Sequence, residues 1–149
     1  MRGKSAVSAK PMFREYIEAF NSGSGADYAR FYARDAILIN GAGDKLQGPA
    51  AIVEFYDEFK ERAKRRIEVL GLVEGRDTLA AALQSTFEVV GDGLSFAGEV
   101  LDTGDRVLLR SIALYELEGG KFKRIQAQTL DRKIMRAGLP GEGEEAATG

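Results

Sequence analysis

Acid–base chemistry in this chain has to be carried without histidine or cysteine, since its 149 residues contain neither. Thiolate nucleophiles, Ser-His-Asp triads, disulfide frameworks and the usual zinc sites are excluded together. What remains is Asp, Glu, Tyr and Lys, whose pKa values must be moved by burial or neighbours before they work near neutral pH. Tyr16, Tyr32 and Tyr56 each sit on the apolar stripe of a separate helical pattern. A tyrosine there is ordinarily core, its hydroxyl reaching solvent or a backbone carbonyl, but three from three helices can also share one hydroxyl network. Asn40 comes directly after a short apolar strand, where helical periodicity gives way to strands. Glu99 and Asp102 lie in a segment whose register is not set by its pattern. They are reserve candidates for a base, and otherwise exposed surface acids.

Three helices and a run of strands must position these groups. From Pro11, a residue suited to a first helical turn, Met12, Phe13, Tyr16, Ile17 and Phe20 recur at helical spacing as far as the breaker run of residues 21–25. Tyr28, Phe31 and Tyr32 predict a short second helix, residues 36–39 a brief strand, and Gly41, Gly43 and Gly48 a loop. Pro49 opens a third helix with the stripe Ile52, Phe55, Tyr56 and Phe59. The basic run of residues 60–66 then reads as its solvated cationic end, favoured there by the helix dipole, rather than as a binding patch.

Beyond Arg66 the period changes to two, predicting strands over 67–73, 79–90, 94–101, 106–117 and 122–130, the last two joined as a hairpin at 118–121. Alternation places Leu83, Ser85, Phe87, Ser111, Ala113, Tyr115, Ala127 and Thr129 toward the helices, a set without a carboxylate. Gln84, Glu88, Glu116, Gln126 and Gln128 take the opposite face. Helices followed by a meander of strands indicate an α+β fold in one domain over residues 11–135, with a flexible start (1–10) and a disordered Gly- and Glu-rich tail (136–149).

The chain carries 21 Lys and Arg against 23 Asp and Glu, a net charge of −2, and shows neither a signal-peptide pattern nor an apolar run long enough to span a bilayer. A cytoplasmic protein with no nucleic-acid or membrane partner is expected.

The phrases EYIEAFNSG, FYARDAILING, GPAAIVEFYDEF and GGKFKRI, in this order and spacing, resemble the NTF2-like superfamily, in particular its SnoaL-like and ketosteroid isomerase-like members. The resemblance covers about residues 12–131 and implies a cone: three N-terminal helices packed on a curved antiparallel sheet around an apolar cavity. It also implies a dimer through the outer sheet face. By position it carries over Tyr16 as an oxyanion donor, with Tyr32 and Tyr56 supporting it. Asn40 falls where ketosteroid isomerases have their proton-shuttling Asp, and Ala113 near their second, protonated Asp. Limonene-epoxide hydrolase holds its attacking water with an Asn at the place of Asn40, but its Asp-Arg-Asp set would fall at Ser85, Phe87 and Ala127. SnoaL-like cyclases use a His and an Asp; this chain has no His, and Asp131 lies one residue from the last-strand acid.

The function implied is a cofactor-free isomerase, cyclase, lyase or hydratase acting on a hydrophobic carbonyl or epoxide, with Tyr16 donating and Asn40 positioning a water or a substrate oxygen. The alternative is a non-catalytic pocket for an apolar ligand such as a steroid, polyketide or phenolic compound. A third reading, an interaction domain with a filled core, predicts no open cavity.

Overall fold

The computed structural model describes residues 7–96 and 98–138. Helix α1 (Lys10–Ser22) buries Phe13, Tyr16, Ile17 and Phe20 along one stripe, with Pro11 in its first turn. Its last turn is pinned to the sheet by Asn21, which donates to the Ile67 carbonyl at 2.9 Å and accepts the Ile67 N–H at 2.8 Å. Helix α2 (Gly25–Ala29) is a single turn in which the Asp27 carboxylate accepts the Ser24 N–H at 2.7 Å. Gly25 is required there, because a Cβ would lie 2.3 Å from Val53 of the third helix.

The helical pattern through Tyr28, Phe31 and Tyr32 does not continue as helix. Tyr32 opens strand β1 (Tyr32–Ile39), because the Phe31 carbonyl is taken by the Phe122 N–H at 2.8 Å and the chain is drawn into the sheet. Burial of all three rings is kept while the backbone changes state.

Strand β2 (Lys45–Gln47) folds back on β1, and α3 (Pro49–Lys60) comes next with Ile52 and Tyr56 buried. The remaining strands are β3 (Ala63–Gly75), β4 (Thr78–Val89), β5 (Leu94–Phe96), β6 (Glu99–Leu101), β7 (Arg106–Glu118) and β8 (Lys121–Met135). Only two helices therefore precede the sheet, since α3 lies between β2 and β3. The six-stranded sheet runs β2-β1-β8-β7-β4-β3, and β5 and β6 pair as a separate hairpin in place of the single strand expected over 94–101. The sheet is mixed rather than antiparallel: β1 pairs with β8 in parallel, Leu38 opposite Ile125 and Ile39 opposite Gln126. These strands lie far apart in the chain, so no hairpin turn forces them antiparallel. The β7–β8 hairpin does have such a turn, Gly119 and Gly120 at φ 61° and 79°, the two positive values that a type I′ connection needs.

Register slips by one residue at Leu70 in β3 and at Lys123 and Leu130 in β8, and each bulge bends the sheet around the helices. The interior holds two apolar clusters. The larger is aromatic, centred on Phe13, Tyr16, Tyr115 and Phe122; the smaller, with Phe87, Val89, Leu101 and Val107, lies under the β5–β6 hairpin.

The expected loose ends are partly docked. Ser8 Oγ and the Ala9 N–H both donate to the Glu74 carboxylate, at 2.8 and 2.7 Å. Arg136 bonds the Val100 carbonyl at 2.8 Å and pairs with Glu99 at 2.9 Å and Asp105 at 3.1 Å, while the Ala137 N–H donates to Asp105 at 2.8 Å. Burial would raise the Asp105 carboxyl, but the Asp102 and Ala137 N–H groups and Arg136 outweigh it and hold it below the usual range. Residues 1–6 and 139–149 of the expected mobile ends lie outside the described residues. Among the described residues no helix is long and apolar enough to cross a membrane.

Candidate functional site

Period two along β4 points Leu79, Ala81, Leu83, Ser85, Phe87 and Val89 inward, and all six are buried. On β7 the inward set includes Ser111, Ala113 and Tyr115, also buried, and on β8 Ala127 and Thr129 face Ala113 and Ser111 across the ladder, half-buried. The eight strand residues expected on the helix side are therefore there.

Onto this face α1 and the start of β1 bring two hydroxyls together: Tyr16 Oη and Tyr32 Oη are 2.8 Å apart, so one donates to the other. The rings around them are fixed by edge contacts, Tyr16 to Tyr32 at 5.6 Å and Tyr16 to Phe122 at 4.8 Å between centroids. Burial, and after it the neighbouring Tyr115, pushes the Tyr16 hydroxyl well above its ordinary pKa; burial and then Tyr16 do the same to Tyr32. Tyr115 is raised by burial and then by Tyr56, with Arg65 opposing. These hydroxyls stay neutral at physiological pH, so they serve as hydrogen-bond donors and not as bases. Tyr56 joins the group from α3 through Phe20, their rings 5.1 Å apart.

One residue that the sequence pattern does not mark as inward, Arg65, joins this face. Strand β3 begins at Ala63, four residues earlier than the pattern predicts, so alternation turns Arg65 inward. Its guanidinium lies over the rings of Phe87 (5.0 Å), Phe20 (5.5 Å) and Tyr56 (5.8 Å) and donates to the buried Ser85 Oγ, with Nη2 at 3.1 Å. The basic run is thus divided: Arg66 is exposed and Arg65 is half-buried among aromatics. In the sequence this shows as the alternation Ala63, Arg65, Ile67, Val69, masked by the charges surrounding it.

Asn40 is placed differently from the tyrosines. Its Oδ1 accepts the N–H groups of Ala42 (3.0 Å) and Asp44 (2.9 Å), and its Nδ2 donates to the Asp44 carboxylate at 3.1 Å. Both ends of the amide are engaged in closing the β1–β2 loop, so the geometry gives it a turn-forming role. Asn40→Asp would remove the donor and set a second carboxylate against Asp44. The expected result is no gain of isomerase activity on a β,γ-unsaturated ketone and a loop loosened by about 1 kcal/mol, read from urea midpoints. A gain in rate with unchanged stability would show instead that residue 40 serves the interior.

The reserve acids are engaged elsewhere. Glu99 pairs with Arg136, and Asp102 accepts the Gly93 N–H at 3.2 Å in an exposed turn. Asp131 would share the inward side with Thr129 by strict alternation, but the bulge at Leu130 turns it outward, opposite Arg110. Among the described residues Asp105 is the buried carboxylate, and it sits in the turn before β7, held by Arg136.

Neither of the two best-formed hollows among the described residues is lined by Tyr16, Tyr32 or Tyr56. Both are surface grooves, of about 440 Å³ beside Arg14, Asn21 and Arg66 and about 500 Å³ beside Asp77, Leu114 and Lys123. Tyr28 Oη is the buried polar atom left without a partner among the described residues. Burial, then Asp57 and Tyr56, raises its pKa to about 12.

A family model described as a SnoaL-like domain matches residues 13–125. Among curated proteins none matches the chain. Solved structures share the fold at low identity. A SnoaL-like polyketide cyclase from Agrobacterium tumefaciens is 17% identical with a TM-score of 0.69, covering 84% of this chain and 93% of its own. An LEH-like epoxide hydrolase from M. tuberculosis is 8% identical at 0.66, covering 82% of each chain. A protein from Catenulispora acidiphila with a ketosteroid isomerase-like fold is 10% identical at 0.65, covering 80% of this chain and 85% of its own.

Proposed function

Because the chain belongs to the SnoaL-like domain family, we propose that it is a small-molecule enzyme, acting without a cofactor on a hydrophobic carbonyl or epoxide taken up between the helices and the concave sheet face. The observation that carries this reading is the pair of Tyr16 and Tyr32 hydroxyls, 2.8 Å apart in an aromatic interior. Neutral donors in a desolvated site favour an oxygen that gains negative charge, as in enolisation or epoxide opening, and contribute most in the transition state. With no carboxylate on the inward positions of β4 and β7, the proton acceptor is a water or a basic atom of the substrate itself. A ligand reaches the hydroxyls by displacing side chains, since neither of the best-formed hollows among the described residues opens onto them.

The absence of an inward acid also favours a second reading, in which the same interior binds an apolar ligand without converting it. Incubating the protein with a panel of aryl epoxides and enolisable ketones, with products monitored by mass spectrometry, separates the two. Turnover supports the enzyme; stoichiometric binding without conversion supports the binding module; neither contradicts both.

The outer sheet face pairs two copies of the chain. Ile112, Leu114 and Leu130 are 45%, 49% and 62% exposed there, and Val73 and Ala80 continue the row of Leu114 through the ladder. An apolar strip of this kind on an uncovered sheet is a docking surface. Sedimentation equilibrium is expected to give a dimer, and Leu114→Lys a monomer with unchanged secondary structure. A wild-type monomer at high micromolar concentration contradicts the pairing.

A further inference from the structure

Arg65 is a half-buried cation with no ion pair among the described residues. Its fork carries five N–H donors and finds one protein acceptor among the described residues, Ser85 Oγ. The rings of Phe20, Tyr56 and Phe87 offset part of the cost of desolvating the charge, but they accept no in-plane hydrogen bond. The other polar groups near it are neutral hydroxyls, which can donate to an anion but carry no charge to balance the guanidinium. Ser85, having accepted from Arg65, has its own proton to give; Tyr56 and Tyr115 make no side-chain hydrogen bond among the described residues. The inward positions of β3 from Ala63 to Val69, and those of β4 and β7, contain no carboxylate. The Arg65 guanidinium from β3 thus meets Tyr56 from α3 and Ser85 from β4 with no anionic acceptor among the described residues, between an aromatic cluster on one side and a second apolar cluster on the other.

We infer that Arg65, with Ser85 and Tyr56, forms an anion subsite that takes the carboxylate of an otherwise hydrophobic, aromatic-sized ligand. Arginine suits the task, since its planar fork meets a carboxylate through two parallel hydrogen bonds and can stay stacked on aromatic rings meanwhile. The inference rests on the proposal that the concave interior is the ligand site, and it narrows the ligand class to monocarboxylates.

The test compares 2-naphthoate with its neutral isostere 2-naphthamide at pH 7, by isothermal titration on the full chain, with benzoate and benzamide as a smaller pair. The carboxylate is expected to bind at least about tenfold more tightly than the amide, the worth of one or two charge-assisted hydrogen bonds. Arg65→Met should abolish that preference while leaving amide binding in place. Ser85→Ala, a small change on a strand, should narrow it at least about threefold, and serves where Arg65→Met does not fold. Equal affinity for acid and amide, or a preference that survives in the substituted proteins, overturns the anion subsite and leaves the interior as a neutral ligand site. Failure of all four compounds to bind the folded wild type overturns both.

Discussion

Phe122→Ala is expected to lower the free energy of unfolding by about 3–5 kcal/mol, enough to leave a domain of this size mostly or partly unfolded near body temperature. Phe122 is fully buried and stands where α1, β1, β7 and β8 meet. Its ring contacts Tyr16 (4.8 Å), Tyr115 (5.2 Å), Phe13 (6.4 Å) and Tyr32 (6.5 Å) between centroids. Its N–H also accounts for the Phe31 carbonyl, and that backbone bond survives the substitution. The loss therefore falls on packing: transfer of the ring to water in the unfolded state, plus a hole that rigid aromatic neighbours cannot close. Chemical denaturation should show a lower midpoint with an unchanged slope. Phe122→Leu should recover a good part of the loss. A cost below about 1.5 kcal/mol would mean that the aromatic cluster is loosely packed and that its tyrosines are not rigidly held.

Tyr16→Phe is expected to lower kcat by about 100- to 1000-fold on any carbonyl or epoxide substrate that the protein turns over, with little change in KM, as when one donor to a developing oxyanion is lost. The ring is kept, so packing against Phe20, Phe31 and Phe122 is retained. What disappears is one hydroxyl of a buried pair, and Tyr32 Oη loses its partner at 2.8 Å. Stability should fall by about 1–2 kcal/mol because that second hydroxyl is left unsatisfied. Tyr32→Phe should have a smaller effect on rate, since Tyr32 acts through Tyr16. Equal losses in both variants would show that either hydroxyl can face the substrate. A Tyr16→Phe protein with full turnover would remove the tyrosine pair from the mechanism.

The parts of the fold legible in the sequence are those set by uninterrupted periodicity. The stripe Phe13, Tyr16, Ile17, Phe20 defines α1, and the alternation from Leu79 to Val89 defines β4 with its buried face. Departures occur where a distant partner overrides the local pattern. Phe31 and Tyr32 satisfy a helical stripe, yet the N–H of Phe122, far along the chain, captures the Phe31 carbonyl and starts a strand. The bulge at Leu130 has no sequence mark, and it alone turns Asp131 away from the interior. Asn40 reads as a functional position because it directly follows β1, where the family resemblance puts a catalytic Asp or a water-holding Asn. Its amide instead closes a loop with Ala42 and Asp44, through bonds invisible until the loop conformation is known. Arg65 is the reverse case: a charge inside a charged run that reads as a solvated helix end, and that strand β3 turns onto three aromatic rings.

The ionisation of a bound phenol tests the central claim, that the Tyr16–Tyr32 pair is built to hold an oxygen bearing negative charge. With 2-naphthol as the probe, the naphtholate absorption band reports its charge state directly inside the protein. Bound 2-naphthol is expected to ionise at a lower pH than the free compound, with Tyr16→Phe reversing most of that shift and Arg65→Met leaving part of it in place. A bound phenol that ionises at its ordinary pH, or a shift untouched by Tyr16→Phe, would contradict it.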